Sequence, residues 1–160
     1  MTQKQEQEKY MQLAIELAQE NVKTGKGGPF GAVIVKNGEI IATGANSVTS
    51  LNDPTAHAEV TAIRNACNKL NSFQLDDCEI YSSCEPCPMC LGAIYWARPK
   101  ALYFAADKND AAKAGFDDSF IYDEIELDYS KRSIKTLQLN INTKLKPFED
   151  WDISELKLSY

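Results

Sequence analysis

Four residues of this chain have the types and spacing of a hydrolytic metal centre. His57 is its single histidine. Glu59 follows two positions on, and Cys87 and Cys90 lie in the run Pro86-Cys87-Pro88-Met89-Cys90. Two thiolates and one neutral imidazole bind zinc at three tetrahedral corners and leave the fourth open. An open zinc site lowers the pKa of its water toward about 7, so hydroxide forms near neutral pH. A carboxylate beside that water takes the proton, passes it to a substrate atom and later helps protonate the leaving group. The expected centre is therefore one zinc per chain, held by His57, Cys87 and Cys90, with water or hydroxide as fourth ligand and Glu59 as the catalytic acid–base group.

Local geometry supports these roles and sets one puzzle. Residues three apart share a helix face, so a helix beginning near Cys87 brings both thiols together in its first turn. Pro86 and Pro88 suit such a start, where backbone N–H groups have no helical acceptor. Those free N–H groups also favour thiolate over thiol. His57 falls in the first turn of a second helix. Residues two apart on a regular helix point about 200° apart, so His57 and Glu59 face one ion only if the helix start bends them together. Cys84, three residues before Cys87, offers a fourth protein ligand that would close the site and make it structural. An iron–sulfur cluster needs a fourth well-placed cysteine, and Cys67 and Cys78 read as core thiols. Met89 and Trp96 read as core rather than site, and Glu59 has the plain alternative of a solvated helix carboxylate.

Rigid elements must hold these side chains. Tyr10, Leu13, Ala14, Leu17, Ala18 and Val22 recur at helical spacing over residues 4 to 22. The stretch from Thr24 to Pro29 ends that helix. Two β-rich runs, Ala32 to Lys36 and Glu39 to Thr43, flank Asn37-Gly38. This predicts a hairpin, because a type I′ turn needs positive φ at both central residues. A polar loop from Asn46 to Pro54 leads to the His57 helix, with Thr55 as N-cap and Ala62, Ile63, Ala66, Cys67 and Leu70 as its buried stripe. Ile80 to Ser82 is a short strand running into the cysteine motif, and Cys87 to Ala97 a helix stopped by Arg98-Pro99-Lys100. Ala101 to Ala106, apolar throughout, predicts a strand covered on both faces. Asp107 to Leu127 reads as loop with short helices, Ser133 to Leu139 as a last strand, and the residues from Pro147 as a C-terminal helix. The order predicts an α/β fold, a three-layer α/β/α sandwich around a mixed sheet of about five strands. Ligands of open α/β sheets gather at the carboxyl ends of strands, where Cys87 stands.

Composition narrows the substrate. A chain of 160 residues reads as one domain, 1–160. No apolar run approaches the roughly 18 residues of a membrane span, and the first residues carry no apolar leader core, so a cytoplasmic protein without a membrane partner is expected. Five cysteines, an odd number, favour metal or catalysis over disulfides in such a compartment. The formal net charge of −6 lacks the basic footprint that neutralises phosphates. A small or uncharged substrate is expected, with no nucleic-acid partner.

Ala56-His57-Ala58-Glu59 with Pro86-Cys87-Pro88-Met89-Cys90 resembles the cytidine deaminase-like superfamily. Further stretches resemble bacterial guanine deaminases of the short, zinc-dependent type, and the likeness runs over nearly the whole chain. They are Gly27-Gly28-Pro29-Phe30-Gly31-Ala32, Asn52-Asp53-Pro54-Thr55-Ala56-His57, Cys90-Leu91-Gly92-Ala93-Ile94-Tyr95-Trp96-Ala97-Arg98 and Ala114-Gly115-Phe116-Asp117-Asp118-Ser119-Phe120. The resemblance implies a cytidine deaminase-like fold and attack on C2 of guanine, giving xanthine and ammonia. Glu59 would shuttle the protons, and Asp118 would meet the amino-group side and assist. Asn46 would hydrogen-bond the purine edge, the Ala58 N–H would bind the carbonyl oxygen, and Phe30 would stack on the base. A homodimer is also implied. Its C-terminal segment, about 147–160 and carrying Trp151 and Tyr160, would swap onto the partner and place Tyr160 over the partner's substrate. Each contact has a plain counterpart: Asn46 capping a turn, Phe30 in the core, Asp118 capping the next helix.

Three rivals share the zinc motif. A tRNA adenosine deaminase needs phosphate-neutralising side chains. Here 17 basic residues face 23 acidic ones, and Asp117, Asp118, Asp123, Glu124 and Glu126 crowd the region after the zinc helix. A deaminase of another amino-heterocycle would use the same chemistry on cytosine, a guanosine or an aminotriazine. A non-catalytic, zinc-stapled domain would release ammonia from no base.

Overall fold

Alternation along the first hairpin divides the interior in two. In β1 (Gly31–Lys36), Ala32 and Ile34 face one side of the sheet and Val33 and Val35 the other, as a pleated strand requires. Asn37 and Gly38, with φ of 52° and 81°, turn the chain into β2 (Glu39–Ala45), as their sequence predicts. The computed structural model describes residues 2–160, which form two units, one running to Asp118 and the other Ser119–Tyr160.

The first unit is a sheet with helices on both faces. Its strand order is β2-β1-β3-β4, with β3 (Cys78–Cys84) antiparallel to β1 and parallel to β4 (Ala101–Ala106). Helix α1 (Gln3–Lys23) covers one face, where Tyr10 and Ala14 pack on Val33, Val35 and Tyr81. The other face carries α3 (Ala58–Leu70) and α4 (Pro88–Ala97), through Ala58, Ala62, Ala66, Ile94 and Ala97 against Ala32, Ile34 and Ile80. This is the expected α/β/α sandwich around a mixed sheet. The loop after β2 contains one short helix, α2 (Val48–Leu51), and α5 (Lys108–Lys113) follows β4.

Two expectations about the sheet change. It has four strands among the described residues, not about five, because Ser133 to Leu139 joins no ladder. Ile134 and Leu139 there are 79% and 77% exposed. Their spacing supplies the faces of a strand, but a strand also needs a neighbour to receive its backbone hydrogen bonds. Ala101 to Ala106 does form β4, yet as the last strand in the order, with Phe104 exposed rather than covered.

The second unit holds α6 (Ser119–Glu126), a 3₁₀ turn at Tyr129–Lys131 and α7 (Lys146–Ile153), none with a buried residue. The expected C-terminal helix is thus present but stops at Ile153. Among the described residues no helix is long and apolar enough to cross a membrane.

Candidate active site

The metal ligands meet because two of them are helix N-caps. His57 precedes α3 with φ −70° and ψ 160°, and Cys87 precedes α4 with φ −65° and ψ 168°. This resolves the 200° puzzle. The extended backbone throws the His57 imidazole off the helical track, so Glu59 in the first turn can face the same point. Thr55 is not the cap. Its N–H and hydroxyl both donate to Asp53 Oδ1, at 2.8 and 2.7 Å, closing the local turn that Asp favours. Pro88 takes the first position of α4 as expected, and Cys90 lies in the same first turn.

The donor set fits zinc. His57 Nδ1 lies 3.6 Å from Cys87 Sγ and 3.4 Å from Cys90 Sγ. Zn–S bonds of about 2.3 Å and Zn–N bonds of about 2.0–2.1 Å, at tetrahedral angles, put N and S about 3.6 Å apart. Among the described residues His57, Cys87 and Cys90 are the group whose ligand atoms converge, all within 4.8 Å of one another. Cys84 does not join them. Its Sγ faces Asp107 O at 3.7 Å, and burial lifts the thiol pKa to about 11. Without that fourth ligand the site stays open on one side.

The electrostatics ask for a cation. The hydrogen bond from Cys90, with help from His57, lowers the Cys87 pKa to about 4. Cys90 is driven far upward, first by its hydrogen bond with Cys87, next by burial, and then by the charges of Glu59 and Cys87. His57 is raised by its bond to Cys87, so it pairs with that thiolate. A dication among the three removes the repulsion and lets both sulfurs ionise.

Glu59 is 5% exposed, with Oε1 accepting from the Ser82 hydroxyl at 3.0 Å and Oε2 3.4 Å from Cys90 Sγ. Burial raises its pKa, and the bond from Ser82 opposes the rise. A solvated helix carboxylate is therefore excluded. Asp118 is half-buried, and its pKa is raised first by burial and next by the Cys87 charge, which puts it within electrostatic reach of the ligands. Ala58 is fully buried and opens α3, so its N–H has no acceptor inside the helix. Phe30 meets Phe116 edge to face, with centroids 5.0 Å apart. Its carbonyl accepts the Asn46 N–H at 3.1 Å. Asn46 is itself buried. Tyr160 is the last residue of the second unit and is mostly exposed.

Several contributors escape a reading of motifs. Ser82 reaches Glu59, and Ser83 accepts the Gly31 N–H at 3.0 Å, beside Phe30. The available signal is two hydroxyls ending an apolar strand just before the cysteine motif. Phe116 carries no spacing signal. Trp96, expected in the core, is 64% exposed, because α4 is apolar on all sides and only one side is covered. A cavity of about 650 Å³ is lined by Ile15, Ala18, Val22, Phe30, Cys84 and Phe116, and none of the metal ligands lines it.

Residues 4–106 match the family described as the cytidine and deoxycytidylate deaminase zinc-binding region. The chain belongs to this family of zinc-dependent deaminases and carries its zinc-binding region. Guanine deaminase of Bacillus subtilis is 62% identical over 144 residues, spanning 90% of this chain and 92% of that protein. An X-ray structure of Bacillus subtilis guanine deaminase superposes with a TM-score of 0.95 at 57% identity, covering 100% of this chain and 99% of that one. The tRNA-specific adenosine deaminase of Aquifex aeolicus is 52% identical over 81 residues, 50% of this chain and 54% of that protein.

Proposed function

We propose that the protein hydrolyses guanine to xanthine and ammonia. Water adds oxygen to C2, the bond from C2 to the exocyclic nitrogen breaks, and that nitrogen leaves as ammonia. One observation carries the choice of base. Likeness to a guanine deaminase spans 90% of the chain, beyond the zinc-binding region, at 62% identity, whereas likeness to tRNA adenosine deaminases spans 49% to 67% of it at 40% to 52% identity.

His57, Cys87 and Cys90 would hold zinc, which when bound would supply the Lewis acidity that lets water lose a proton near neutral pH. Glu59 takes that proton, holds it and delivers it to the ring and then to the departing amine. Its burial, which favours the protonated form, suits it to carry a proton between the two transfers. Phe30, braced by Phe116, stacks on the base. The Ala58 N–H binds the carbonyl oxygen, Asn46 binds the purine edge, and Asp118 meets the amino-group side and assists proton movement. Ammonia release from guanine, adenine, cytosine, cytidine, guanosine and tRNA tests the assignment, with guanine turned over fastest. Faster release from another substrate overturns it.

We further propose that the enzyme works in the cytoplasm as a homodimer, residues from about 147 to 160 of each copy lying over the partner's site and bringing Tyr160 to the partner's substrate. The support is the second unit's bare apolar surface, with Ile153 83% and Leu156 93% exposed. Deleting Leu156 to Tyr160 should lower guanine turnover with zinc retained. Mixing that deletion with Glu59→Ala chains should restore part of it. Unchanged kinetics in the deletion overturn the swap.

A further inference from the structure

We infer that Asn21, at the end of α1, is a positioning residue for base recognition: it locks Asn46 so that the carboxamide offers N–H donors, and not its oxygen, to the bound base. The inference rests on Asn46 meeting the base as proposed above.

Asn21 lies outside every motif, yet is 5% exposed. Its Nδ2 donates to Gly28 O at 2.8 Å and to Asn46 O at 2.8 Å. A carboxamide nitrogen has two hydrogens, and both are committed. One side chain thus ties α1, the glycine loop before Phe30 and the residue after β2 into one clamp. Asn46 is held at three further points. Its N–H donates to Phe30 O at 3.1 Å. Its Oδ1 accepts from the Gly28 N–H at 3.2 Å and from the Val48 N–H at 3.4 Å.

These bonds settle which way the amide faces. The two atoms of an Asn terminus are told apart by their partners. Both partners of Oδ1 are backbone donors, so a flipped amide would set N–H against N–H. Nδ2 is left over. No buried side-chain nitrogen or oxygen among the described residues lacks a partner, so Nδ2, which has no protein acceptor there, lies at accessible surface. It presents hydrogens to whatever binds. Guanine meets that requirement through the lone pairs of its ring nitrogens and carbonyl oxygen. A base that turns an amino or N–H group to this point is refused, because Asn46 cannot flip while Gly28 is held. Removing Asn21 takes from the Gly28 and Asn46 carbonyls the one side chain that ties them together, leaving Gly28 O only the Phe30 N–H at 2.8 Å, so both loosen. The amide can then rotate, and binding weakens while the acid–base group stays in place.

A double-mutant cycle with Asn46→Ala tests the proposal on the zinc-loaded protein. Asn21→Leu should raise KM for guanine about tenfold, the loss of one oriented hydrogen bond, with kcat within about threefold and zinc content unchanged. In the Asn46→Ala background the same change should move KM less than about twofold. Equal cost in both backgrounds marks Asn21 as a packing residue and overturns the proposal. Asn21→Asp, of equal size but without the donors, should repeat the KM effect. Should neither variant fold, the unaltered protein decides by NMR. The Asn21 carboxamide hydrogens should exchange slowly and ignore guanine, while the Asn46 carboxamide signals shift on its addition. Fast exchange at Asn21 or unmoved Asn46 signals overturn it. Failure of the guanine assignment itself shows earlier, in the wild-type ammonia assay.

Discussion

The two faces of the sheet are packed by different rules. Under α3 and α4 the contacts are made by small residues: Ala58, Ala62 and Ala66 are fully buried and Ala97 nearly so. Under α1 a small residue, Ala14, is fully buried too, but aromatic rings are added: Tyr81 stacks on Tyr103 with centroids 4.9 Å apart and tilts against Tyr10 at 5.3 Å. The small residues let α3 come so close that a Cβ on Gly44 would overlap the Ala58 carbonyl oxygen and the Ala62 nitrogen. That closeness brings the N-terminus of α3, with His57, the Ala58 N–H and Glu59, to Ser82 on β3. Close approach occurs on both faces, since a Cβ on Gly31 would overlap the Ala14 carbonyl oxygen under α1, and what sets the α1 face apart from the chemical face is its stacked aromatic rings.

This contrast can be broken in graded steps. Glu59→Ala should cut kcat by about 10²–10⁴-fold while zinc content, measured by atomic absorption, stays at one per chain. Retained activity would show that the proton passes elsewhere. Gly44→Ala should then push α3 outward. Overpacking costs about 1–3 kcal/mol, and a shift of roughly 1 Å at a reacting group can cost about a hundredfold in rate. Turnover should therefore fall further than the melting temperature implies, since Glu59 moves with the helix. If stability falls with kcat intact, close approach serves packing alone. On the aromatic face, Tyr81→Phe should leave kcat unchanged and alter only the alkaline limb of stability. Burial, then the bond to Glu79, raises the Tyr81 pKa. The folded protein thus keeps a proton that the unfolded chain sheds above about pH 10. Its contribution is complete below that pH, and stability then falls by about 1.4 kcal/mol per pH unit. Urea titrations between about pH 9 and 11 should show a shallower decline in the variant; identical slopes would place the titration elsewhere.

The chemical face was also the more legible in sequence. His57, Cys87 and Cys90 are fixed by short spacings and by their position at helix starts, which local physics determines. Only the detail of the caps needed coordinates: Thr55 is taken up by Asp53, and His57 stands at the cap position instead. Alternation in β1 and the Asn37-Gly38 turn were equally readable. Ser82, Phe116 and Asn21 were not, since each acts across 20 or more residues of chain, as Ser82 does on Glu59 and Asn21 on Asn46. Nothing local marks such a partner. The missing strand at Ser133 to Leu139 fails for the same reason: propensity is local, and a ladder is not.

The solitary histidine has a practical consequence. His57 turns Nδ1 toward the two sulfurs, so the protein's whole imidazole spectrum comes from one ring at the metal position. Nuclear magnetic resonance of ring-labelled protein needs no residue assignment. One set of ring signals denotes a single metal state, told as filled or empty by its shift on adding zinc, and two sets count filled and empty copies directly. The molecule carries its own gauge of metal occupancy, readable in the purified protein while turnover is being followed.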